Sequence, residues 1–562
     1  MAETSSADMD RALEELATKK DEWSRLPASE LAGLVAQVRA DTDRVAEKWV
    51  EACAAGKGLE DSPYGIGEEW TLFAAVVRML RLLEGSLREI VERGAPQLPK
   101  PPWVNGHGRV VAEVFPASRI DTMSLPGMRA EVWMEPGETP QRTLAGLASA
   151  YTDPPARGRL TLILGAGNVS ALVPGDMIQK LFVERSVVVL KPNPVNEYLG
   201  PIVEEAFSAL TERGFLRVVY GGAEEGRYLS RHDLVDAVHM TGSEKTFNAL
   251  VFGGGEAGRS GRTRGEPVLR KPVTAELGNV SPLIVVPGPW SSRDVHAQGA
   301  KLATWLTVNA GCNCLTPRVV IQKRSWEHRD ALNEAIRTAL SRADTRPAFY
   351  PGADSWQAAF VAAHPEAWQE GAPSEGELPW TYIPGVDPAN TQDICFTTEP
   401  FSTVMSETAL DAPSTVDYLA EAVRFANEHL WGTLVAMILV HPDSMKDPAV
   451  SQAVDRAVAE LDYGTVMINT FPGLGYVLSN APWGGTPGRD IDDIQSGTGF
   501  VNNLYMFARP AKSVVYGPFS QAKEIFSPEF SKMEAFGRKF ARLQARPSYA
   551  RLPGLIWTIM TG

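Results

Sequence analysis

The stretch Leu160-Thr-Leu-Ile-Leu-Gly-Ala-Gly-Asn-Val-Ser170 decides the fold of this chain. A short, almost wholly apolar run that ends in a glycine turn is typical of a strand covered on both faces, with its carboxyl end at a ligand crevice. A second such run, Val187–Leu190, ends at Lys191, and the later segment Ile202–Leu210 has helical spacing. Strands and helices that alternate in this way over residues 159–285 predict a parallel sheet with right-handed crossovers.

The rest of the chain shows several further patterns. Residues 9–95 carry apolar side chains at intervals of three to four, which predicts helices. A second α/β stretch is predicted over residues 283–480, and we interpret its Pro-, Gly- and Trp-rich part near 345–392 as an insertion or long loop. The Gly- and Arg-rich residues 253–265 are predicted to form a surface loop, and Asn503–Tyr516 a strand.

Composition and charge exclude several classes of function. At 562 residues the chain is long enough for two or three domains, and its 44% hydrophobic and 22% charged residues are ordinary for a globular protein. A formal net charge of −14 argues against a dedicated nucleic-acid binder, because phosphate contacts need clustered cations. The first residues lack the pattern of a signal peptide, and no apolar run approaches the roughly 20 residues that span a bilayer. We therefore expect a cytoplasmic protein.

Four cysteines are too few for a disulfide framework and fit a reducing compartment in which one thiol is reactive. They are Cys53, Cys312, Cys314 and Cys395. Two of them lie in the segment Asn309-Ala-Gly-Cys-Asn-Cys314, where the neighbours favour a loop and a working thiol over a buried structural cysteine. A metal site would need two more ligands at recognisable spacing, and His296 is isolated, so we predict no metal.

A carboxylate lies in a further segment, Thr274-Ala-Glu-Leu-Gly-Asn-Val-Ser-Pro282. Glu276, beside a glycine turn, is a candidate general base, and a thiol in a loop of small residues is a candidate nucleophile. A base within reach of a thiol is the minimum requirement for covalent thioester chemistry. Glu276 and one of the two neighbouring cysteines are therefore predicted to open into one cavity.

Three polar positions follow predicted strands. Asn168 has three open interpretations: part of a dinucleotide-binding loop, in which Ser170 replaces the third glycine, part of a plain glycine turn, or a side-chain amide aimed at an oxyanion. Lys191 is well placed for the ribose or phosphate of a nucleotide, although a solvated lysine at a strand end has the same pattern. Thr241-Gly242-Ser243, after the strand-like Ala237–Met240, either offers N–H groups to pyrophosphate or is an ordinary serine N-cap.

Together these segments resemble the aldehyde dehydrogenase superfamily over roughly residues 150–500. Glu276-Leu-Gly-Asn-Val-Ser-Pro resembles the family's Glu-Leu-Gly-Gly-Lys-Ser-Pro block, and Asn309-Ala-Gly-Cys-Asn-Cys314 resembles its Asn-X-Gly-Gln-X-Cys block, which puts Cys314 at the nucleophile. Asn168 precedes Lys191 at the family's interval. Four more blocks occur in the family's order, namely Met240-Thr-Gly-Ser243, Glu399-Pro-Phe-Ser-Thr-Val404, Asn427-Glu-His-Leu-Trp-Gly432 and Ala481-Pro-Trp-Gly-Gly485.

The resemblance implies a mechanism and the residues that perform it. Cys314 would attack the aldehyde carbonyl as a thiolate, and the Asn168 amide and the Cys314 backbone N–H would stabilise the oxyanion. Hydride transfer to the nicotinamide of NAD or NADP would leave a thioester, and Glu276 would activate the water that hydrolyses it to a carboxylate. The cofactor-binding residues implied by the family pattern are Lys191, Gly222, Gly242 and Ser243 for the adenosine and pyrophosphate, and Glu399 and Phe401 for the nicotinamide ribose.

The resemblance also implies an α/β architecture with two Rossmann-like parallel-sheet domains, one cofactor-binding and one catalytic, a small β oligomerisation element and an N-terminal helical region. We expect the helical region over residues 1–100 and the NAD(P)-binding domain, with part of the oligomerisation element, over 101–275. The catalytic domain is expected over 276–482, and a C-terminal return with the oligomerisation strand and a basic tail over 483–562. A homodimer or homotetramer is expected, with residues 503–516 as the candidate inter-subunit strand.

Among the departures from the family pattern, two concern the choice of cofactor and the C-terminal tail. Pro194 stands where many NAD-dependent members carry a glutamate for the ribose 2′-hydroxyl, so NAD and NADP both remain open. The tail after about residue 520 finds little counterpart in the family; it is basic and ends in Leu-Ile-Trp-Thr-Ile-Met560. It is too short to span a membrane, and we interpret it as an arm packed on its own protein or on a neighbouring subunit rather than as a membrane contact.

Two other functions compete with the hydrolytic oxidation of a small-molecule aldehyde. A coenzyme-A-dependent acylating dehydrogenase or acyl reductase shares the thioester chemistry, and the unusual stretch Gly167-Asn-Val-Ser170 keeps it open. Glu276 favours hydrolysis, because acylating relatives often lack the base. A non-catalytic nucleotide-binding or scaffolding relative is disfavoured by the intact set of Cys314, Glu276 and Asn168.

Overall fold

The computed structural model describes residues 1–520 and 523–562, whose strands form two large sheets and one small two-stranded sheet. Strands form where short runs of Val, Ile and Leu are covered on both faces, as in Ser186–Lys191, whose residues are all buried. In chain order the strands are Trp103–Val104 (β1), Val110–Phe115 (β2), Arg129–Met134 (β3), Arg159–Leu164 (β4), Ser186–Lys191 (β5), Leu216–Val218 (β6), Ala237–Thr241 (β7), Val273–Glu276 (β8), Ser281–Val285 (β9), Pro317–Lys323 (β10), Arg346–Pro347 (β11), Trp368–Glu370 (β12), Glu377–Leu378 (β13), Trp380–Val386 (β14), Val404–Leu410 (β15), Val435–Leu439 (β16), Thr465–Ile468 (β17), Gly497–Thr498 (β18) and Pro510–Tyr516 (β19).

Helices connect and cover these strands. In chain order the α-helices are Ser6–Arg25 (α1), Ala28–Arg44 (α2), Ala46–Gly56 (α3), Pro63–Arg93 (α4), Arg119–Ser124 (α5), Pro140–Ala145 (α6), Ser149–Thr152 (α7), Leu172–Ile178 (α8), Gly200–Ala206 (α9), Ser208–Thr211 (α10), Ala223–Arg231 (α11), Glu244–Val251 (α12), Gly255–Thr263 (α13), Ser292–Thr307 (α14), Arg329–Leu340 (α15), Ala353–Ala363 (α16), Ile394–Thr397 (α17), Thr415–His429 (α18), Pro448–Glu460 (α19), Gly473–Val477 (α20), Met533–Ala545 (α21) and Leu552–Thr561 (α22). A π-helical turn spans Gln179–Val183, and 3₁₀ turns span Glu197–Leu199, Val308–Gly311, Ser444–Lys446 and Tyr549–Arg551.

The smaller sheet has the strand order β18-β8-β7-β4-β5-β6. Its strands β8, β7, β4, β5 and β6 are parallel, and β18 pairs antiparallel with β8 at one edge. The carboxyl ends of the parallel strands therefore lie along one edge, where β5 ends at Lys191, β7 at Thr241 and β8 at Glu276. The predicted parallel sheet is confirmed, and this edge is where open α/β sheets bind ligands.

The larger sheet has the order β1-β2-β3-β19-β17-β16-β9-β10-β15-β14-β12. The strands from β19 to β14 are parallel to their neighbours, and antiparallel strands extend the sheet at both edges. Two sheets with parallel centres and with helices between their strands confirm the predicted α/β fold class.

The strand predicted within Asn503–Tyr516 exists, but it begins at Pro510. Asn502 and Met506 have φ of +58° and +56°, so the backbone before Pro510 turns instead of extending. β19 pairs on one side with β17 and on the other with β3 of the same chain. Both backbone edges of β19 are thus paired within the chain, and its role between subunits stays a prediction.

Two segments predicted as loops contain regular structure. Within residues 253–265, Gly255–Thr263 forms helix α13, so the prediction of a surface loop is wrong. A Cβ at Gly258 would lie 1.9 Å from the Gly253 carbonyl oxygen, which means that glycine here permits close backbone packing. The segment 345–392 is not a long loop either, since it contains α16 and strand β14 of the large sheet.

The predicted N-terminal helices are confirmed as α1 to α4. The longest of them, α4, begins at the Ser62 cap and ends at Gly94 in the left-handed conformation. Helix α21 of the basic tail packs along α4, and Arg538 pairs with Glu47, so the tail packs on its own chain as expected. Within the described ranges, no helix combines the length and apolarity that crossing a bilayer requires.

Candidate active site

A cavity of about 680 Å³ opens at the carboxyl ends of β4, β5, β7 and β8. The residues that the sequence predicted for catalysis and cofactor binding all line it: Asn168, Lys191, Gly222, Gly242, Ser243, Glu276, Cys314, Glu399 and Phe401. This position and size are those of a cofactor or small-molecule site in an α/β protein. The fold thus brings the residues of separate sequence blocks into one site.

Cys314 and Glu276 face each other across this cavity. The Cys314 Sγ lies 3.9 Å from Glu276 Oε1, and Trp483 Nε1 donates a hydrogen bond to the same oxygen at 2.9 Å. Glu276 is the last residue of β8 and is buried, whereas Cys314 is partly exposed to the cavity. A nucleophilic side chain and a base therefore lie within reach of each other.

Burial controls the protonation of both groups. It raises the pKa of Glu276 to about 8; the charge of Asp176 adds to the rise, and hydrogen bonds from Trp483 and Cys314 oppose it. Burial also raises the pKa of the Cys314 thiol well above its usual range, and the carboxylates of Glu276 and Glu399 add to that rise. The thiol must therefore lose its proton to a nearby base before it can act as a nucleophile.

The loop that carries Cys314, residues 309–314, is called the cysteine loop below. Three consecutive residues from Asn309 to Gly311 have φ of 54°, 54° and 72°, the left-handed region that is unfavourable for non-glycine residues. A Cβ at Gly311 would lie 2.3 Å from the Ser402 carbonyl oxygen. The buried Arg318 guanidinium donates to the carbonyls of Gly311 and Ser402. The unfavourable backbone is thus held by contacts with the large sheet.

Asn168 is held against the cysteine loop. Its Nδ2 donates to the Cys312 carbonyl at 2.9 Å, and its own carbonyl accepts from Asn309 Nδ2 at 3.1 Å. The side chain is buried and lines the cavity. An amide fixed beside the thiol-bearing loop is the arrangement that the oxyanion interpretation of Asn168 requires.

The two neighbouring cysteines have different environments. Cys312 is buried, and its Sγ lies 3.7 Å from the Ala310 carbonyl oxygen and 3.6 Å from that of Phe401. Burial raises the pKa of Cys312 to about 12. Among the described residues that line the cavity, Cys314 is present and Cys312 is not. This difference favours Cys314 as the nucleophile and Cys312 as a packing residue.

Lys191 is not a solvated lysine, because it is only 7% exposed. Its Nζ donates to the Gly221 carbonyl at 2.7 Å and to that of Pro192 at 3.3 Å, and burial lowers its pKa. Gly222 precedes α11, and its N–H donates to Glu225 Oε2 at 2.6 Å. The ammonium group is therefore oriented by backbone carbonyls at the edge of the cavity.

Gly242 and Ser243 directly precede α12. The Ser243 Oγ accepts a hydrogen bond from the Thr246 N–H at 3.1 Å, so this serine is the N-cap that one of the two interpretations predicts. Both residues also line the cavity. The positive end of the α12 dipole therefore faces a space in which an anionic group could bind.

Glu399 lines the cavity and carries an unpartnered oxygen. Its Oε1 is buried and has no hydrogen-bond partner within residues 1–520 and 523–562. Burial raises the pKa of Glu399 to about 7, and the Arg318 charge opposes the rise. A Cβ at Gly278 would lie 1.9 Å from Glu399 Oε2, so only glycine allows this approach. Phe401, with φ of 41°, packs its ring 4.7 Å from that of Tyr350.

Sequence reasoning missed three residues of this site. Trp483 lies in a quoted block, but nothing local showed that its partner is Glu276. Asp176 is an acidic residue inside the otherwise apolar helix α8, a pattern that could have been recognised as functional. Its carboxylate accepts from Thr241 Oγ1 at 3.0 Å and lies 3.2 Å from His239 Nε2. Tyr350 falls in the segment interpreted as an insertion, which concealed its place in the cavity.

One group of potential metal ligands occurs among the described residues, and none of its three members lines the cavity. The ligand atoms of His364, Asp393 and Cys395 lie within 4.8 Å of one another. The His364 Nδ1 lies 2.9 Å from Glu366 Oε1, and its Nε2 lies 3.0 Å from Asp393 Oδ1. Both ring nitrogens are thus engaged by carboxylates, the arrangement of an ion-paired histidine.

Comparison with known sequences gives consistent relatives. The sequence model of the Aldehyde dehydrogenase family matches residues 146–360. An N-succinylglutamate 5-semialdehyde dehydrogenase of Sphingopyxis alaskensis is 29% identical over 208 residues, which cover 36% of this chain and 39% of the relative. The 4-trimethylaminobutyraldehyde dehydrogenase of Homo sapiens is 34% identical over 141 residues, 25% of each chain. The chain therefore matches less than half the length of either relative.

Solved structures match over nearly the whole chain. Betaine aldehyde dehydrogenase from Staphylococcus aureus, in complex with NAD⁺, has a TM-score of 0.62 and 16% identity, with 93% of this chain and 90% of that chain covered. The NADP-dependent glyceraldehyde-3-phosphate dehydrogenase from Bacillus halodurans, complexed with NADP, has a TM-score of 0.61 and 18% identity, with 91% of each chain covered. At these identities the likeness is one of fold.

Proposed function

Because this chain belongs to the aldehyde dehydrogenase superfamily, we propose that it oxidises an aldehyde to a carboxylic acid with NAD or NADP as the hydride acceptor. The observation that carries this proposal is the 3.9 Å separation of Cys314 Sγ and Glu276 Oε1 inside a cavity of cofactor size. A structural cysteine would not need a buried carboxylate beside it at the carboxyl edge of a parallel sheet.

The first step is addition of the Cys314 sulfur to the aldehyde carbonyl. Glu276, as a carboxylate, takes the thiol proton, and the sulfur forms a bond to the carbonyl carbon. The Asn168 amide and the Cys314 backbone N–H stabilise the negative charge that develops on the carbonyl oxygen. The product is a thiohemiacetal attached to Cys314.

The second half of the reaction releases the acid. The nicotinamide of NAD or NADP, when bound, supplies the hydride acceptor, and loss of hydride from the thiohemiacetal leaves a thioester on Cys314. Glu276 first releases the thiol proton to solvent and then, again as a carboxylate, takes a proton from water as the water oxygen attacks the thioester carbon. The carbon–sulfur bond breaks, the carboxylic acid leaves, and the Cys314 thiolate is regenerated.

The residues present fit such a dinucleotide. Lys191 would contact ribose or phosphate, the α12 N-terminus beside Ser243 would hold pyrophosphate, and the unpartnered Oε1 of Glu399 would accept from a ribose hydroxyl. Pro194 lines the cavity and carries no carboxylate that would repel a 2′-phosphate, so NAD and NADP both fit.

The organisation of the chain is part of the same proposal. We assign residues 1–100 to an N-terminal helical region, 101–275 to the cofactor domain, 276–482 to the catalytic domain and 483–562 to the C-terminal return. The functional unit is a homodimer or homotetramer. The protein works in the cytoplasm, because a reducing compartment keeps a nucleophilic thiol reduced.

Aldehyde oxidation by the purified protein tests this function directly. A panel of aldehydes, beginning with those named for the two relatives, is supplied with NAD or NADP and without coenzyme A. Growth of the absorbance of the reduced nicotinamide is the expected result. The Cys314→Ala variant is the negative control, since it keeps the cavity but lacks the nucleophile.

Two other outcomes would contradict the proposal, and each indicates a different alternative function. Activity that appears only with coenzyme A, or only from an acyl-CoA with reduced cofactor, indicates the acylating alternative. Cofactor binding without turnover of any aldehyde or acyl-CoA indicates a non-catalytic relative.

A further inference from the structure

A buried ion pair in the N-terminal helices contacts the cysteine loop. Lys57 directly follows α3, and its Nζ lies 2.7 Å from Glu69 Oε1 on α4. The two side chains are only 3% and 2% exposed. Removal of two charges from water is costly, so a pair at this depth needs further polar partners.

The partners of this ion pair come from both loops of the active site. Lys57 Nζ donates to Asn309 Oδ1 at 2.8 Å, and Asn309 is the first residue of the cysteine loop. Glu69 Oε2 accepts from Ser170 Oγ at 3.2 Å, and Ser170 lies two residues after Asn168. One ion pair thus touches the loop of the nucleophile and the loop of the oxyanion donor.

The contact with Lys57 determines what the Asn309 amide can do. Since the ammonium group occupies Oδ1, the NH₂ group must point the other way. There it lies 3.1 Å from the Asn168 carbonyl oxygen, 3.2 Å from that of Cys312 and 3.0 Å from Asn313 Oδ1. A rotated amide would place its single oxygen against these three oxygen acceptors and lose all of these bonds.

The backbone of the cysteine loop makes such a tether necessary. Asn309 and Ala310 both have φ of 54°, a conformation that non-glycine residues adopt only when their surroundings impose it. Arg318 holds the later part of the loop, while Lys57 is the charged group that binds its first side chain. Loss of the Lys57 contact would allow the loop to relax and would move Cys314 relative to Asn168.

We propose that Lys57, with Glu69 as its counter-ion, is a positioning residue that fixes the Cys314 thiol relative to the Asn168 amide through Asn309. This inference rests on the proposed function for the meaning of those two groups. It also assigns a role to the helices before residue 100: they supply a charge that holds the active-site loops, although they lie outside the two sheets.

Three variants separate a positioning role of Lys57 from the contribution of the ion pair to the stability of the protein. Lys57→Met removes the ammonium group and leaves Glu69 buried without its partner, so this protein should unfold at a lower temperature. Lys57→Met with Glu69→Gln removes both charges and should recover the unfolding temperature, yet Asn309 still lacks its donor. Lys48→Met is the matched control: Lys48 lies on α3, the helix that Lys57 follows, and the change breaks an exposed pair with Glu205 (2.8 Å).

Two rates are measured under conditions in which circular dichroism shows that every variant is folded. One is aldehyde oxidation; the other is acylation of Cys314 by 4-nitrophenyl acetate, which needs the thiol and the oxyanion contacts but no hydride acceptor. We expect the double variant to be slower by about tenfold or more in both rates, because small displacements of reacting groups cost up to about a hundredfold. The KM for the cofactor should stay unchanged, and Lys48→Met should match the wild type.

A double variant that recovers the unfolding temperature and both rates would show that the ion pair is only structural, and the proposal would be wrong. Wild-type protein that is acylated by the ester but oxidises no aldehyde would contradict the proposed function alone. The ester rates of the variants would then still decide the role of Lys57.

Discussion

Trp483 donates a hydrogen bond from Nε1 to Glu276 Oε1 over 2.9 Å, and this is the same oxygen that faces the Cys314 sulfur. The indole therefore favours the carboxylate form of the group that must accept protons during turnover. Asp176 has the opposite effect, because its negative charge raises the pKa of Glu276. Burial makes the largest contribution to the raised pKa of Glu276, and these two residues adjust that pKa in opposite directions.

Replacing Trp483 by Phe should move the pH dependence of turnover to higher pH. Loss of one hydrogen bond to the carboxylate raises the pKa of Glu276 further, by about one unit if the bond is worth roughly 1.4 kcal/mol. The profile of kcat against pH measures the shift. Trp326→Phe, at a buried tryptophan that packs on Trp290, is the control and should leave the profile in place. An unmoved profile in Trp483→Phe would contradict the assigned role of the indole.

Asp176→Asn should move the same profile to lower pH. The amide keeps the shape of the side chain and its contact with Thr241, but it removes the negative charge that raises the pKa of Glu276. We expect the rising limb of kcat to begin at lower pH than in the wild type. If Asp176→Asn and Trp483→Phe shift the profile in the same direction, the electrostatic account of Glu276 is wrong.

In the wild type, hydrolysis of the acyl-enzyme should speed up as the pH rises through about 8. The pKa of Glu276 is raised to about 8, so the group is protonated below this value and cannot take a proton from water. Below the pKa the rate should fall by about tenfold for each pH unit. Glu276→Gln should slow this step by about a hundredfold or more; solvent hydroxide then has to deprotonate the thiol, so an acyl-Cys314 adduct forms more slowly than in the wild type but accumulates once formed. Mass spectrometry of the intact protein detects the adduct, and its absence would count against the base.

The two cysteines of the loop should respond differently to alanine. Cys314→Ala should abolish turnover, because no other thiol lines the described part of the cavity. Cys312→Ala should keep a measurable fraction, since its Sγ is buried against the Ala310 and Phe401 carbonyls and only packing is lost. Steady-state rates of the two variants decide between the sulfurs, and the reverse order would mean that Cys312 is the nucleophile.

Gly278→Ala should weaken cofactor binding. A Cβ at this position would lie 1.9 Å from Glu399 Oε2, so the glutamate must leave its place at the edge of the cavity. We expect the Kd for NAD or NADP to rise by about tenfold, the loss of roughly one good hydrogen bond to a charged group. Gly33→Ala, which meets no atom within 4 Å, is the control. An unchanged Kd in Gly278→Ala would remove Glu399 from the cofactor site.

The residues that act on bound molecules were largely predictable from sequence. Cys314 and Glu276 each lie in a short block with its own glycine, so local spacing was enough to suggest a thiol and a base. Lys191 was predictable because it ends an apolar strand, and all three residues do line one cavity. Their roles in the reaction remain predictions.

The residues that act through other side chains were not predictable. Lys57 and Asn309 are separated by 252 positions, and Glu276 and Trp483 by 207, so no local pattern links either pair. The glycines of 253–265 misled the prediction in another way, since glycine permits close helix packing as well as turns. Both the distant side-chain pairs and the structure of the glycine-rich segment depend on tertiary contacts, which form only when the chain folds.

The place of β19 between β17 and β3 has a consequence for biogenesis. The large sheet stays incomplete during synthesis until residues 510–516 have left the ribosome, because they join strands that lie some 50 and more than 370 positions earlier in the chain. Contacts so distant in sequence make folding slow. Nascent chains that stop before Pro510 would expose two bare strand edges, which are prone to aggregation, so quality control should remove prematurely terminated products.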